Sequence, residues 1–321
     1  MKKIHAQIIG GAGYTAGELI RLLIHHPRIG TLDVHSESQQ GKAIHEVHHD
    51  ILGYNLLPFN HHISHDADVY FICSGHGKAK EILQQFQLPA HSKIIDLSHD
   101  HRYHPTDHSW QYGLSELFTE DIQQAQKIAN PGCFATSILL PLLPLLKTFH
   151  INDVHIHAIT GSTGAGVKPS STTHFSYRSQ NLSSYKSLQH QHEREIIDSF
   201  KASNTHIPNL FFIPIRGTHT RGIYSSMTFS STAGAAEMYR YLSEYYAPHP
   251  FIHVSTQDHG LKAVVNTNNA AIHIQGHDEK VHITCAIDNL LKGASGQAVQ
   301  NMNIQCNIPQ TEGLRLKSLA Y

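Results

Sequence analysis

Short apolar runs separated by amphipathic stretches fill the first third of the chain. Residues 4–9 (Ile-His-Ala-Gln-Ile-Ile) predict a buried strand. The small-residue run Gly10-Gly11-Ala12-Gly13-Tyr14-Thr15-Ala16-Gly17-Glu18 follows. Leu19, Ile20, Leu22, Leu23 and Ile24 then share a helical face that Pro27 ends. Further strands are predicted at 31–35, 69–73 and 93–97, with a helix over 78–86. Strands alternating with helices in this way predict an α/β fold: a Rossmann-type, doubly wound parallel sheet.

Past residue 147 the pattern changes. Strand-like segments dominate at 154–159, 210–215, 222–230, 270–274 and 281–287, and helical periodicity is confined to 191–202 and 233–246. This predicts an α+β domain on a mainly antiparallel sheet. A last helical stretch over 294–302 can return to the first domain. The expected division is a first domain over 1–146, completed by 294–321, and a second over 147–293.

Composition narrows the functional classes. A length of 321 residues allows about two domains, each with its own core. With 24 Lys+Arg against 25 Asp+Glu and no charged block, nothing points to nucleic acid or a membrane surface. No run approaches the roughly 18 apolar residues of a membrane span, and no signal peptide is read at the N-terminus. Cys73, Cys133, Cys285 and Cys306 are scattered without a CxxC pair, which predicts free thiols in a reducing cytoplasm. The 30 histidines show no metal-ligand spacing, so no metal is expected.

Two segments carry candidate chemistry. In Asn130-Pro131-Gly132-Cys133-Phe134-Ala135-Thr136 a thiol stands where the apolar run 138–146 can open a helix. A helix N-terminus lowers a thiol's pKa, which makes Cys133 a candidate nucleophile; a buried, inert cysteine is the alternative. The turn after the first strand fits Gly10-x-x-Gly13-x-x-Ala16 rather than GxGxxG. Gly10, Gly13, Tyr14, Thr15 and Ala16 could cradle a dinucleotide pyrophosphate at the helix start. Near the end of the second strand Asp33 and Glu37 favour NAD, whereas Ser36, Ser38 and Lys42 suit a 2′-phosphate, and the residues alone leave the two open.

Taken together, the motifs resemble the N-acetyl-γ-glutamyl-phosphate reductases, which belong with the aspartate-semialdehyde dehydrogenases. The resemblance rests on residues 10–19, on Asp96-Leu-Ser-His-Asp-His-Arg102, on Tyr112-Gly-Leu-Ser-Glu-Leu117 and on Asn130-Pro-Gly-Cys133. It continues through Gly161-Ser-Thr-Gly-Ala-Gly166, His190-Gln-His-Glu-Arg-Glu195, Arg221-Gly-Ile223 and Asp288-Asn-Leu-Leu-Lys-Gly-Ala294. Phe134-Ala135 replace the family's Tyr-Pro, Ser115 and Arg194 stand where Pro is usual, and residues 214–220 differ.

The resemblance implies an NADP(H)-dependent enzyme of arginine biosynthesis acting on a small acyl phosphate. It implies a thioester on Cys133 and a substrate and dimerisation domain, in a homodimer or tetramer. It also implies a histidine partner, for which His190 is preferred and His192 held in reserve. Within that scheme the 161–166 loop, with Ser162 and Gly164, suits a phosphate. Arg221 suits the substrate carboxylate, and Glu195 binds or orients. Asn289 and Lys292 fall on the nicotinamide side of the cofactor in the resembled family. Two other readings stay open: the same chemistry on a succinylated glutamyl, aspartyl or aminoadipyl phosphate, and a non-catalytic nucleotide sensor.

Overall fold

Six parallel strands form the first sheet of the computed structural model, which describes residues 3–75, 77–102 and 109–319. They are β1 (Ile4–Ile9), β2 (Ile29–His35), β3 (Val69–Ile72), β4 (Lys93–Asp96), β5 (Gln111–Tyr112) and β6 (Lys127–Ala129), in the order β2-β1-β3-β4-β6-β5. All four residues of β3 are buried, as a parallel strand covered on both faces requires. Helices α1 (Tyr14–Leu23), α2 (Ala79–Gln85) and α3 (Thr119–Gln124) connect them. The strand order reverses between β1 and β3, so the crevice of a doubly wound sheet opens where β1 runs into Gly10.

The chain divides into two compact units, Met1–Pro131 with Ala294–Arg315, and Gly132–Gly293 with the residues from Leu316 on. The second unit starts with α4 (Cys133–Leu146). Its sheet has β7 (Asp153–Thr160), β8 (Ser183–Ser184), β9 (Asn209–Arg216), β10 (Ile223–Ser230), β11 (Ile252–Ser255), β12 (Ala270–His277) and β13 (Lys280–Ile287). The order is β11-β12-β13-β10-β7-β9-β8. β7–β9 and β11–β12 are parallel and the other four pairings antiparallel, so the sheet is mixed with an antiparallel majority. Helices α5 (Phe175–Arg178), α6 (Gln191–Ala202) and α7 (Ala235–Tyr246) complete the unit. The alternation of β7 buries Val154, Ile156 and Ala158 and leaves His155 and His157 exposed.

The sequence boundary at 146 differs from the division at 131. Helix α4 is apolar around its whole circumference and buries every residue from Phe134 to Leu146. Such a helix needs cover on all sides, and α4 finds it against β10, β13, α6 and α7. Ser137 Oγ meets Ser225 Oγ of β10 at 2.7 Å. Pro144 has no N–H for the Leu140 carbonyl one turn back. The Tyr246 hydroxyl donates to that oxygen instead.

The helix expected from 294 begins after a wide π-type turn (Leu291–Ser295) as α8 (Gly296–Gln305), and it joins the first unit. Every residue of α8 is buried, including Gln297, Gln300, Asn301, Asn303 and Gln305. Buried amides need partners. Gln297 and Asn301 donate to the Gly113 carbonyl, Gln300 to Glu116 Oε1 and Gln305 to the Ala125 carbonyl. Among the described residues no helix is long and apolar enough to cross a membrane.

Candidate active site

Cys133 is the first residue of α4, and Gly132 is its cap, with no side-chain hydrogen bond at the cap position. The Gly132 N–H points at a buried carboxylate: Glu195 Oε1 accepts it at 2.7 Å. Glu195 lies on α6, so one hydrogen bond fixes the thiol-bearing turn against that helix. On the other side Gly293 approaches closely: a Cβ there would stand 2.7 Å from Cys133 Cβ. Only glycine fits this contact.

His190 caps α6. Its Nδ1 accepts the His192 N–H at 3.2 Å, satisfying one of the donors that every helix start leaves open. The ring is buried among aromatic edges, with centroids of Phe134 at 5.4 Å, Phe212 at 5.5 Å and Tyr185 at 5.7 Å. Burial, and then the positive charges of Lys186 and Arg216, pull its pKa down to about 4. The unperturbed value near 6.5 allows either acid or base work; in this setting the ring is neutral at pH 7. With Nδ1 accepting, the ring proton sits on Nε2. His192 is buried too, with its ring edge-on to Phe134 at 5.9 Å.

The groups expected to hold anions are engaged elsewhere. Arg221 points Nε and Nη2 at Asp288 Oδ2, at 3.1 and 3.0 Å. Asp288 is fully buried and also accepts the N–H groups of Asn266, Leu290 and Leu291. The 161–166 loop is a docked turn, not an open nest. The N–H groups of Gly161, Ser162 and Thr163 donate to the carbonyls of Gly222, His219 and Thr220, and those of Gly164 and Gly166 donate within the loop. Asn289 staples the same region, accepting the Gly222 N–H and donating to Thr163 Oγ1. Lys292 is fully buried, with Nζ 6.0 Å from the Phe251 ring centroid.

Tyr185 stands beside His190 and Arg216 beside Tyr185, and neither carries a motif signal. Tyr185 has its pKa raised to about 12, first by burial and then by the neighbouring Cys133. Arg216, at the end of β9, lays its guanidinium 4.6 Å from the Tyr185 ring centroid. Nothing in the sequence marks either one, because neither lies in a spaced motif.

The first unit holds the dinucleotide candidates. Gly10 has φ +87°, and a Cβ there would lie 2.6 Å from Ser74 Cα. Gly13 caps α1, no side chain caps that helix, and a Cβ at Gly13 would meet no atom within 4 Å. Open space thus lies before the first-turn N–H groups of Tyr14, Thr15 and Ala16, and this cradle fits a pyrophosphate. The Thr15 carbonyl accepts Ser295 Oγ at 2.7 Å. Asp33 is held by His5 Nε2 at 2.7 Å, within β2 and not beyond its end. Ser36 is buried and Ser38 exposed. No group of three His, Cys, Asp or Glu side chains among the described residues is placed to hold a metal ion.

A small-residue turn at a helix start in one unit and a thiol at a helix start in the other fit an oxidoreductase of the semialdehyde dehydrogenase class. The family descriptions "Semialdehyde dehydrogenase, NAD binding domain" and "Semialdehyde dehydrogenase, dimerisation domain" match residues 5–125 and 133–289. The chain is 48% identical over 321 residues to N-acetyl-gamma-glutamyl-phosphate reductase of Bacteroides fragilis, covering 99% of this chain and 100% of that one. It is 46% identical over 317 residues to the enzyme of the same name from Christiangramia forsetii, covering 98% and 99%. The chain belongs to the N-acetyl-γ-glutamyl-phosphate reductase family. Aspartate semialdehyde dehydrogenase II of Vibrio cholerae, solved with ASA, superposes with a TM-score of 0.75 at 14% identity, over 96% of this chain and 99% of that one. The Candida albicans enzyme, solved with NADP, gives 0.71 at 14% identity, over 95% and 99%. At that identity the likeness is one of fold.

Proposed function

We propose that the chain reduces N-acetyl-γ-glutamyl phosphate to N-acetylglutamate semialdehyde through a thioester on Cys133, with NADPH as reductant. The observation that carries this reading is the placement of Cys133 at the start of α4, with its turn pinned by Glu195 and its neighbour Phe134 against His190.

The Cys133 thiolate adds to the acyl carbonyl, forming the S–C bond and a tetrahedral oxyanion; collapse of that oxyanion breaks the C–O bond to phosphate, which leaves with the electron pair. Covalent attachment divides one difficult step into two. NADPH, when held by the first unit, would supply a hydride for the thioester carbon. His190, neutral with its proton on Nε2, donates a hydrogen bond to the oxyanion formed at each tetrahedral stage. A neutral imidazole in this role polarises a carbonyl without carrying charge. When the aldehyde forms, the C–S bond breaks and Cys133 leaves as thiolate. Glu195 is a positioning residue: it holds Gly132 and through it the thiol. Gly10, Gly13, Tyr14, Thr15 and Ala16 would hold the pyrophosphate, with Ser36 and Ser38 at the ribose end. Asn289 and Lys292 shape the turn that brings Gly293 against Cys133.

Self-association through the second unit is part of the proposal. The open face of its sheet, with exposed His155, His157 and Phe211, supports it, as does the matched dimerisation description. Four free cysteines support a reducing cytoplasm.

The test is NADP⁺ reduction by N-acetylglutamate semialdehyde with phosphate, run beside NAD⁺ and the N-succinyl analogue. Cys133→Ala is expected to abolish turnover. Wild-type turnover by that variant would overturn the mechanism.

A further inference from the structure

We infer that His48 is a positioning residue for the dinucleotide cradle: it turns the Gly11–Ala12 peptide so that the Ala12 N–H joins the donors offered to a pyrophosphate. The inference rests on the reading of Gly10 to Ala16 as that cradle.

The turn after β1 is held from two sides. The N–H groups of Gly10 and Gly11 donate to the His35 carbonyl at the end of β2, at 3.1 and 2.8 Å. The Gly11 carbonyl lies 2.7 Å from His48 Nε2. A carbonyl only accepts, so Nε2 carries the proton and donates. The first contact follows from the pairing of neighbouring strands. The second does not: His48 sits between short 3₁₀ turns, Ile44–Glu46 and His49–Ile51, that belong to no sheet.

The peptide after Gly11 is trans and planar, so the Ala12 N–H points opposite to the Gly11 carbonyl. With the carbonyl fixed on His48, that N–H is fixed on the other side. Among the described residues it has no hydrogen-bond acceptor. Free N–H groups in a turn suit an anion. Turned over, the same peptide would present a carbonyl oxygen there, which repels a phosphate.

His48 is itself locked in place. Its N–H donates to the Ile44 carbonyl at 2.9 Å, and Ile44 and Ile51 are buried on either side of it. Its ring lies 6.2 Å from that of the buried Phe59, which also backs the turn: a Cβ at Gly11 would stand 3.1 Å from Phe59 Cε1. The opposite flank is Gly17 of α1, where a Cβ would stand 2.6 Å from His48 Nδ1. Glycine weakens a helix interior, and the ring accounts for its place here.

The test is the dissociation constant of NADPH, read by fluorescence titration without turnover. His48→Ala and His48→Phe both remove the donor, and Phe keeps a ring beside Phe59. Each is expected to raise the constant about 3- to 10-fold, the worth of one hydrogen bond. His48→Gln, whose amide N–H can reach the Gly11 carbonyl, should recover part of the loss. Adenosine 2′-phosphate, which lacks the pyrophosphate, should compete equally well in the wild type and in each variant. Gly17→Ala crowds the ring off Gly11 and should weaken NADPH binding as His48→Ala does, with no further loss when the two are combined. A wild-type constant in both the Ala and Phe variants overturns the inference. So does an equal loss for adenosine 2′-phosphate, a Gln variant no better than Phe, or additive losses from Gly17→Ala and His48→Ala. Failure of the wild type to bind NADPH would instead overturn the underlying reading of the cradle.

Discussion

The proposed mechanism gives His190 two separable jobs, and substitution can divide them. Nδ1 accepts the His192 N–H at 3.2 Å and so caps α6; in the proposed mechanism Nε2 carries the proton offered to the oxyanion. In His190→Asn the side-chain oxygen stands close to where Nδ1 was, so the cap survives while the reach to the substrate is lost. His190→Ala loses both. Each variant forfeits the edge contacts with Phe134, Phe212 and Tyr185, so those losses cancel between them. The remaining difference is the cap, about 1 kcal/mol, or roughly a fivefold change in a local opening constant. Hydrogen exchange of the 190–196 segment reads this difference: the Ala variant should exchange about fivefold faster than the Asn variant. Loss of an oxyanion donor costs about 10²- to 10³-fold in kcat, and both variants should show it equally. Equal exchange in the two variants would refute the cap, and near wild-type kcat in His190→Asn would refute the donor role.

Gly10→Ala should fail to fold normally, because a Cβ would stand 2.6 Å from Ser74 Cα at φ +87°. Gly13→Ala, with no atom within 4 Å, should melt like the wild type and bind NADPH more weakly by fluorescence titration. Arg221→Met leaves the fully buried Asp288 short of its cation, and loss of about 3–5 kcal/mol is expected in thermal unfolding; an unchanged melting temperature would refute the structural role given to this pair. Stability should fall as pH drops below about 6.5, because the unfolded chain then takes up protons that the buried His26, His35 and His190 and the half-buried His219 and His282 resist. For His190, with a folded value of about 4, the loss runs from the unfolded value down to that pH, and comes to roughly 3 kcal/mol. Melting temperatures that stay flat from pH 7 to pH 5 would contradict this.

The long elements were legible because period and length agree. Residues 191–202 read as a helix and form α6, and the apolar runs of β3, β7 and β13 stand within a residue or two of their predicted bounds. Strands as short as Gln111–Tyr112 and Ser183–Ser184 carry no periodicity and exist through their pairing partners. At the site, sequence order already named the thiol, the imidazole and Glu195, and the fold gathers them around the start of α4. It could not show that Asp288 occupies Arg221 or that residues 219–222 saturate the 161–166 loop. Both partnerships depend on strand register.

The buried amides of α8 bear on how the chain is made. The first unit is discontinuous, and its final helix emerges from the ribosome after the whole of Gly132–Gly293. Until then the Gly113 and Ala125 carbonyls and Glu116 wait for the Gln and Asn donors that α8 brings. The second unit has nearly all of its residues before the first can close. Synthesis from the N-terminus therefore delivers the last helix of the unit that carries Gly10 to Ala16 only after nearly all of the second unit. A nascent or truncated chain ending before α8 therefore lacks the helix that completes the nucleotide-binding unit, even when its thiol and imidazole are already in place.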